Sequence, residues 1–256
     1  MVNEKVFLKL LIGIILTCFC IPIDSIDIFI SSFINNQVLT DVHYYWFNSL
    51  IFAGVYGSSF ICILSTVVYS DMFCREYDSG IWRYVIVRTG KLKYVVQGFL
   101  KAFFGGGITL CGGGLLFLLM TCPIFPVFDV NRYGEISILP FSHILKTSPG
   151  LYFLIMLFLL FLTGGLWSCV SFCFSVYVPV KKMVYLFPFI VRFIMGRIMV
   201  IFKIPNEWRF DFMLCGRSGP QNELAYIAIV MIGVLLVVLF CGCLFYKKVK
   251  WRIENE

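Results

Sequence analysis

The residues that could do chemistry are concentrated in one charged segment of an otherwise apolar chain. Segment 74–94 reads CREYDSGIWRYVIVRTGKLKY. Its Gly90-Lys91 pair matches the end of the phosphate-binding pattern GxxxxGK[ST], whose backbone amides and lysine hold ATP phosphates. However, Val85 occupies the position of the first glycine, and Leu92 stands where serine or threonine is required. The segment therefore does not bind ATP by that route.

No other catalytic signature accompanies it. His43 and His143 both fall in predicted loops, where a single histidine is usually a solvated side chain, and HExxH and GxSxG patterns are absent from the sequence. We therefore expect a non-catalytic protein. Cys241 and Cys243 point about 200° apart on a helix and do not chelate one ion, whereas Cys122 and Cys215 fall in predicted loops on the same side, where pairing as a disulfide stays open.

The composition of the chain predicts which structural elements position the charged segment, namely membrane-spanning helices. Of the 256 residues, 60% are hydrophobic and 14% are charged, against about 25% charged in soluble domains. Apolar windows long enough to cross a hydrocarbon core of about 30 Å recur along the chain. This pattern predicts one all-α, polytopic membrane domain, 1–256, with six transmembrane helices. The predicted spans are 6–23, 49–70, 95–120, 151–178, 183–202 and 224–246.

The first span is expected to be a retained helix, because Pro22-Ile23-Asp24 lacks the small-x-small pattern of a signal-peptide cleavage site. Beyond Pro22, apolar residues at helical spacing within 24–34 predict a short helix in the outer membrane interface.

The distribution of basic residues predicts the orientation, since Lys and Arg near span ends stay on the cytoplasmic side. One set of connections holds Lys5, Lys9, Arg75, Arg83, Arg88, Lys91, Lys93, Lys101, Lys181, Lys182, Lys247, Lys248, Lys250 and Arg252. The opposite set holds only Arg132, Lys146, Lys203, Arg209 and Arg217. Both termini and the charged segment are therefore predicted to be cytoplasmic. The net charge of +7 reflects this orientation and anionic lipid headgroups, and no basic stripe of the kind that binds nucleic acid is present.

Residue chemistry alone leaves two interpretations of the charged segment open. Between 71 and 88, charges alternate with aromatic and apolar residues, which predicts a short helix punctuated by Gly80 and Gly90. Such a helix either rests on the membrane surface or docks in the groove of a partner protein.

The same segment resembles a known family. The run Glu76 to Gly80, then Trp82-Arg83, then Arg88 to Tyr94 and Lys101, is similar to the end of the second helix of ABC-2 type permeases. These are membrane subunits of one class of ABC exporter. The motif covers about 30 residues, and the predicted six-helix layout with both ends inside agrees with it over the whole chain.

The resemblance implies a cytoplasmic coupling helix between helices 2 and 3 that docks on a separate ATP-binding subunit. It assigns Glu76 as the acidic residue, Gly80 as a glycine of close approach, and Arg83 and Arg88 as basic contacts. The full set of implied coupling residues is Arg75, Glu76, Tyr77, Asp78, Gly80, Arg83 and Arg88. ATP and Mg²⁺ would bind that subunit and no cofactor this chain, which would pair with a second permease subunit, identical or related, in the bacterial plasma membrane.

Two intramembrane features remain. Glycines 105–107 and 112–114 favour close helix packing, with Gly105 and Gly112 as alternative candidates for lining a translocation route. Arg192 lies about 16 Å into the fifth span at ~1.5 Å per residue, so it should face protein or water. We expect either a structural pair with Asp24 or Asp27, a span broken at Pro188, or a role for Arg192 in a cavity. Arg197 is nearer the outer surface and can extend to it.

The function indicated is export of a hydrophobic or amphipathic substrate, such as a peptide toxin or antimicrobial. A non-transporting immunity or sensor subunit that binds a peptide or partner is the alternative. A secondary transporter ranks third, because such proteins usually carry ionisable midplane residues in both halves of the chain.

Overall fold

The structure is a computed structural model that describes residues 2–34, 40–51, 59–128, 140–220 and 222–255. Within these ranges the regular structure is entirely helical. The α-helices are α1 Val2–Cys20, α2 Ile26–Ile34, α3 Val42–Ile51, α4 Ile61–Thr66, α5 Met72–Asp78, α6 Trp82–Thr89, α7 Lys91–Thr121, α8 Ser142–Thr147, α9 Pro149–Ser175, α10 Lys181–Ile201, α11 Phe210–Leu214 and α12 Glu223–Asn255. Short 3₁₀ segments occupy Ile21–Ser25 and Asn206–Trp208.

Five helical stretches in the described ranges are long and apolar enough to cross a membrane. They are Glu4–Ser32, Lys91–Thr121, Pro149–Ser175, Lys181–Ile201 and Glu223–Asn255. These stretches confirm an all-helical chain with several membrane-length helices. The predicted second span, 49–70, lies partly outside the described residues, and its described part contains α4 followed by turns.

The first helical stretch is longer than predicted. Helix α1 passes directly into the 3₁₀ segment Ile21–Ser25 and then into α2. Pro22 lies within this continuous stretch, at the change from α-helix to 3₁₀-helix, where its missing N–H removes one internal hydrogen bond. The predicted end of the span at residue 23 is therefore not marked by a break in the helical stretch, and the helix predicted within 24–34 is present as α2.

The centre of the bundle is the antiparallel pair α7 and α9. Gly98 near the start of α7 lies against Phe172 near the end of α9, and Gly114 lies against Leu160 earlier in α9. Most of α9 is buried by its neighbours, from Tyr152 to Ser175. The other long helices pack around this pair.

Both terminal helices reach the same end of the bundle. The side chain of Lys9 in α1 contacts Asp71, and the guanidinium of Arg252 in α12 lies 4.8 Å from the centre of the Tyr77 ring. Tyr77 belongs to the charged segment and Asp71 lies just before it, so this segment lies at the same end of the bundle as Lys9 and Arg252. That both termini and the charged segment lie on the cytoplasmic side of a membrane stays a prediction.

The glycines of α7 differ in the atoms that lie closest to them. A Cβ on Gly106 would lie 2.5 Å from the carbonyl oxygen of Gly164 in α9 and 2.7 Å from that of Ser65. A Cβ on Gly112 would meet only the side chain of Ile14, at 3.1 Å. Gly105 faces the ring of Tyr69. These contacts support the close-packing interpretation, and a translocation role for Gly105 and Gly112 stays a prediction.

We expect Gly106→Ala to lower the free energy of unfolding by about 1–3 kcal/mol, because the added methyl group meets two backbone carbonyls that cannot rotate away. Gly112→Ala is the matched control on the same helix. It should change the free energy by less than about 1 kcal/mol, since Ile14 can adjust and alanine favours the helix. Thermal unfolding of both variants in detergent micelles measures the difference, and equal midpoints would contradict the assigned contact.

Candidate functional site

The charged segment forms two short helices, α5 and α6, where a single helix was predicted. The chain breaks at Gly80, whose φ is 69°, and α6 ends at Gly90, whose φ is 85°. Residues other than glycine rarely adopt these values, because their Cβ meets backbone atoms. A Cβ on Gly80 would meet nothing within 4 Å. Gly80 is therefore needed for its backbone conformation, and its role as a glycine of close approach stays a prediction.

Helix α6 has a buried face and an exposed face. Trp82 and Ile86, four residues apart, are buried against the bundle. On the opposite side, Tyr84 is 79% exposed and Val87 is 80% exposed. The exposed residues Arg83 and Arg88 flank them. We call the four residues Arg83, Tyr84, Val87 and Arg88 the α6 outer face.

The acidic residues of α5 bind their own chain. The phenol of Tyr94, at the start of α7, donates a 2.6 Å hydrogen bond to Oε2 of Glu76. Asp78 forms a 2.9 Å ion pair with Lys181, the first residue of α10. Glu76 was predicted to be the acidic contact of a partner, but the structure turns it towards α7. Burial raises the pKa of Glu76, and the hydrogen bond from Tyr94 partly opposes this shift.

An ion-paired carboxylate, Asp71, was missed by the sequence analysis. Its side chain is only 3% exposed, and its oxygens lie 3.0 Å from Nζ of Lys9 and 3.3 Å from Nη2 of Arg75. Asp71 thereby joins α1 to the first turn of α5. Arg75, predicted to be a coupling residue, has its charge matched within the chain. The four-residue spacing of Asp71 and Arg75 is the sequence signal that could have indicated this pair.

Aromatic rings connect α5 to the body of the bundle. Tyr77 packs 6.0 Å from Phe73, and Phe73 lies edge-on to Phe245 of α12 at 5.7 Å. Phe245 also stacks on Phe172 of α9 with ring centres 4.8 Å apart. Tyr77, predicted as a coupling residue, is therefore half-buried in this cluster. The rings link the charged segment to both α9 and α12.

Arg192 and Arg197 lie on one helix in different surroundings. Nη1 of Arg192 lies 3.9 Å from Sγ of Cys62, and no ion pair joins it to Asp24 or Asp27, so the predicted pairing is wrong. Helix α10 continues through Pro188, so the predicted break is also wrong. Arg192 borders an apolar cavity, and a role for it there stays a prediction, whereas Arg197 is exposed, 5.1 Å from the centre of the Phe193 ring.

The cysteines and histidines complete the residues considered from sequence. Every cysteine is a free thiol, so Cys122 and Cys215 do not pair. His143 is exposed, as expected. His43 is buried, 3.4 Å from the hydroxyl of Tyr152, and burial lowers its pKa to about 4. The described residues contain no cluster of three or more metal-ligating His, Cys, Asp or Glu side chains.

Comparison of the chain with protein-family models, with curated proteins and with solved structures found no match. The functional interpretation of the α6 outer face therefore depends on its residues and its geometry.

We expect Asp71→Asn to destabilise the fold at the lower end of roughly 3–5 kcal/mol, because it leaves Lys9 and Arg75 beside a neutral group while both stay partly solvated. Asp78→Asn is the control. Asp78 and Lys181 are each about half exposed, so this change should leave the unfolding temperature unaltered. Equal losses in the two variants would show that Asp71 does not hold α1 against α5.

The raised pKa of Glu76 predicts a pH dependence of stability. The folded protein holds this proton at pH values where the unfolded chain, with a pKa near 4.5, has released it. The proton's contribution is complete below pH 4.5 and is lost as pH rises through the raised pKa. The unfolding temperature of the natural protein, relative to Glu76→Gln, should therefore rise from neutral pH towards pH 4.5. A constant difference across this range would contradict the prediction.

Proposed function

We propose that the chain is the permease subunit of an ATP-driven ABC-2 type exporter in the bacterial plasma membrane. In this proposal the α6 outer face docks on a separate ATP-binding subunit. The observation that carries it is that the short helix α6 has one face buried against the bundle and an opposite face exposed. Trp82 and Ile86 hold α6 against the bundle, while Tyr84 and Val87 extend from it between two arginines.

The chemistry of the α6 outer face suits a protein groove. Helices that dock in grooves use apolar anchors three or four residues apart, which is the spacing of Tyr84 and Val87. Tyrosine and arginine are also the residues that most often dominate the binding energy of interfaces. Arg83 and Arg88 at the edges of the face favour a groove with acidic margins.

The charged segment is attached to the helices that would have to move. Glu76 bonds to the start of α7, and Asp78 pairs with the start of α10. Arg252 near the end of α12 lies over the Tyr77 ring. A displacement of α6 would therefore be transmitted to the ends of three membrane-length helices. Closure of a nucleotide-bound ATPase dimer is a rigid-body motion of the kind that such attachments can carry.

The proposal includes the remaining subunits. ATP and Mg²⁺ bind the ATP-binding subunit, and two permease chains, identical or related, associate with two such subunits. The substrate is a hydrophobic or amphipathic molecule such as a peptide. An apolar cavity of about 320 Å³ bordered by Trp167 and Phe240 is consistent with apolar ligands.

A photocrosslinking experiment separates this function from a membrane-surface role of α6. Benzoylphenylalanine in place of Tyr84 or Val87 should crosslink to a polypeptide that hydrolyses ATP, in membranes of the native host. The same residue in place of Trp208 is the control, since Trp208 is exposed beyond the opposite end of α10 and should not give this product. Adducts with lipid alone from both α6 positions would refute the docking role.

A functional measurement on the purified complex complements it. Val87→Glu places a charge in the apolar part of the α6 outer face, so it should abolish stimulation of the partner's ATPase while leaving the unfolding temperature unchanged. Lys203→Glu, an exposed charge reversal at the other end of α10, should leave stimulation intact.

A further inference from the structure

A cavity of about 320 Å³ separates α10 from α12. Trp167 and Val170 of α9 form part of its floor, with Val191 of α10 and Phe240 of α12 at its sides. Phe210 of α11 closes one end. The lining is almost wholly apolar. Its volume lies at the lower limit of the roughly 300–1,000 Å³ that small-molecule sites occupy in proteins.

The cavity is elongated. Its lining includes residues from Leu166 on α9 to Tyr177, two residues beyond the end of α9, which is about 16 Å at ~1.5 Å per residue. An extended hydrocarbon chain can lie along this length.

The charges at the end near α11 do not cancel. Among the described residues that line the cavity, Arg192 and Asp211 are the charged ones. Asp211 is already paired, because its Oδ2 lies 3.1 Å from Nη2 of Arg209. Nη1 of Arg192 lies 3.9 Å from Sγ of Cys62, and Cys215 is a second sulfur neighbour. No described carboxylate lies within 4.0 Å of its guanidinium, and the nearby Asp211 is paired with Arg209. The cavity therefore carries a guanidinium that no described carboxylate pairs with directly.

Arg192 lies in the middle of a membrane-length helix, where a charged side chain needs compensation. An arginine in the middle of a membrane-length helix is costly unless an anion, other polar groups or water compensate it. Arg197, five residues further along α10, is exposed and can extend towards the membrane surface. Arg192 instead is half-buried and borders an apolar cavity whose lining also includes Phe210 and Leu214.

We propose that this cavity binds a single-chain anionic amphiphile of the fatty-acid type. Its carboxylate pairs with Arg192, and its hydrocarbon chain extends along α9 towards Tyr177. The almost wholly apolar lining suits a hydrocarbon chain, and the guanidinium of Arg192, which has no carboxylate paired with it, selects an acid over a neutral lipid. The proposal does not depend on coupling to an ATPase, and its test uses a separate measurement.

Binding of two probes of equal chain length tests the proposal on the purified full-length protein in detergent micelles. Dodecanoate should bind one to one, by native mass spectrometry, at least about tenfold more tightly than dodecanol. Equal affinity of the two probes for the natural protein would overturn the proposal. So would tighter binding of a two-chain phosphatidylglycerol that displaces dodecanoate.

Variants locate the site. Arg192→Met should reduce the affinity for dodecanoate to that for dodecanol, while Arg192→Lys should retain most of the difference. Arg197→Met, on the same helix but outside the cavity lining, is the matched control and should bind as the natural protein does. Full dodecanoate binding by a folded Arg192→Met protein would refute the assigned carboxylate position.

A second variant tests the position of the hydrocarbon chain without altering any charge. Leu244→Trp fills the end of the cavity near Tyr177 and should shift the preference from dodecanoate to the shorter octanoate. If Arg192→Met does not fold, the proposal is decided by this shift in chain-length preference and by the ratio of the affinities of the natural protein for dodecanoate and dodecanol. An unchanged preference for chain length would place the acid elsewhere.

Discussion

The arrangement of this protein depends on the direct backbone contact between α7 and α9. Helices in lipid gain little from burying apolar surface against one another, so close van der Waals packing and hydrogen bonds must hold them together. Gly106 supplies this closeness, because its missing side chain lets the carbonyl oxygens of Gly164 and Ser65 approach α7. The contact joins three segments at one level of the bundle. It determines where the chain continues from Ser65 into the charged segment.

The two helices of the charged segment differ in what their side chains contact. The acidic residues of helix α5 make internal contacts, Glu76 with Tyr94 and Asp78 with Lys181, and Asp71 just before the helix pairs with Lys9. Helix α6 keeps only one face for the bundle. Because the charges of α5 are used within the chain, the surface available to a partner consists of aromatic, apolar and basic side chains. This division explains why a segment that joins two membrane helices contains so many charged residues.

The sequence predicted best those features that have a strict physical requirement, such as the minimum length of an apolar helix that crosses a membrane. A helix that crosses a membrane needs a long apolar run, so the stretches at Lys91–Thr121, Pro149–Ser175 and Lys181–Ile201 were predicted within about four residues at each end. The start of Glu223–Asn255 was also predicted, but this helix continues nine residues beyond its predicted end at 246, through a charged run that hydropathy alone does not include. The glycine groups in α7 indicated close packing for a similar reason. Pro22 was misleading, because a proline that ends one helix geometry can begin another. The sequence contains no signal that separates the two cases.

The candidate site was predicted less completely, because its residues are defined by what they face. The sequence shows that residue 76 is a glutamate, but it does not show whether the carboxylate faces a partner or accepts a hydrogen bond from Tyr94. Only the fold decides between these surroundings. The same holds for His43, a loop residue by sequence that the structure buries beside Tyr152. The exposed pair Tyr84 and Val87 could be predicted from helical spacing once Gly80 was recognised as the start of a separate helix. The left-handed conformation of Gly80 is what makes α6 separate.

The two glycines that bound α6 have a consequence for how this protein can diversify. The direction of α6 is specified by the backbone at Gly80 and Gly90 and by the two side chains buried beneath it. Arg83, Tyr84, Val87 and Arg88 contribute little to that direction. Substitutions of these outward residues can therefore change the chemistry of the exposed surface while the helix keeps its direction, so that surface chemistry and architecture vary at separate positions.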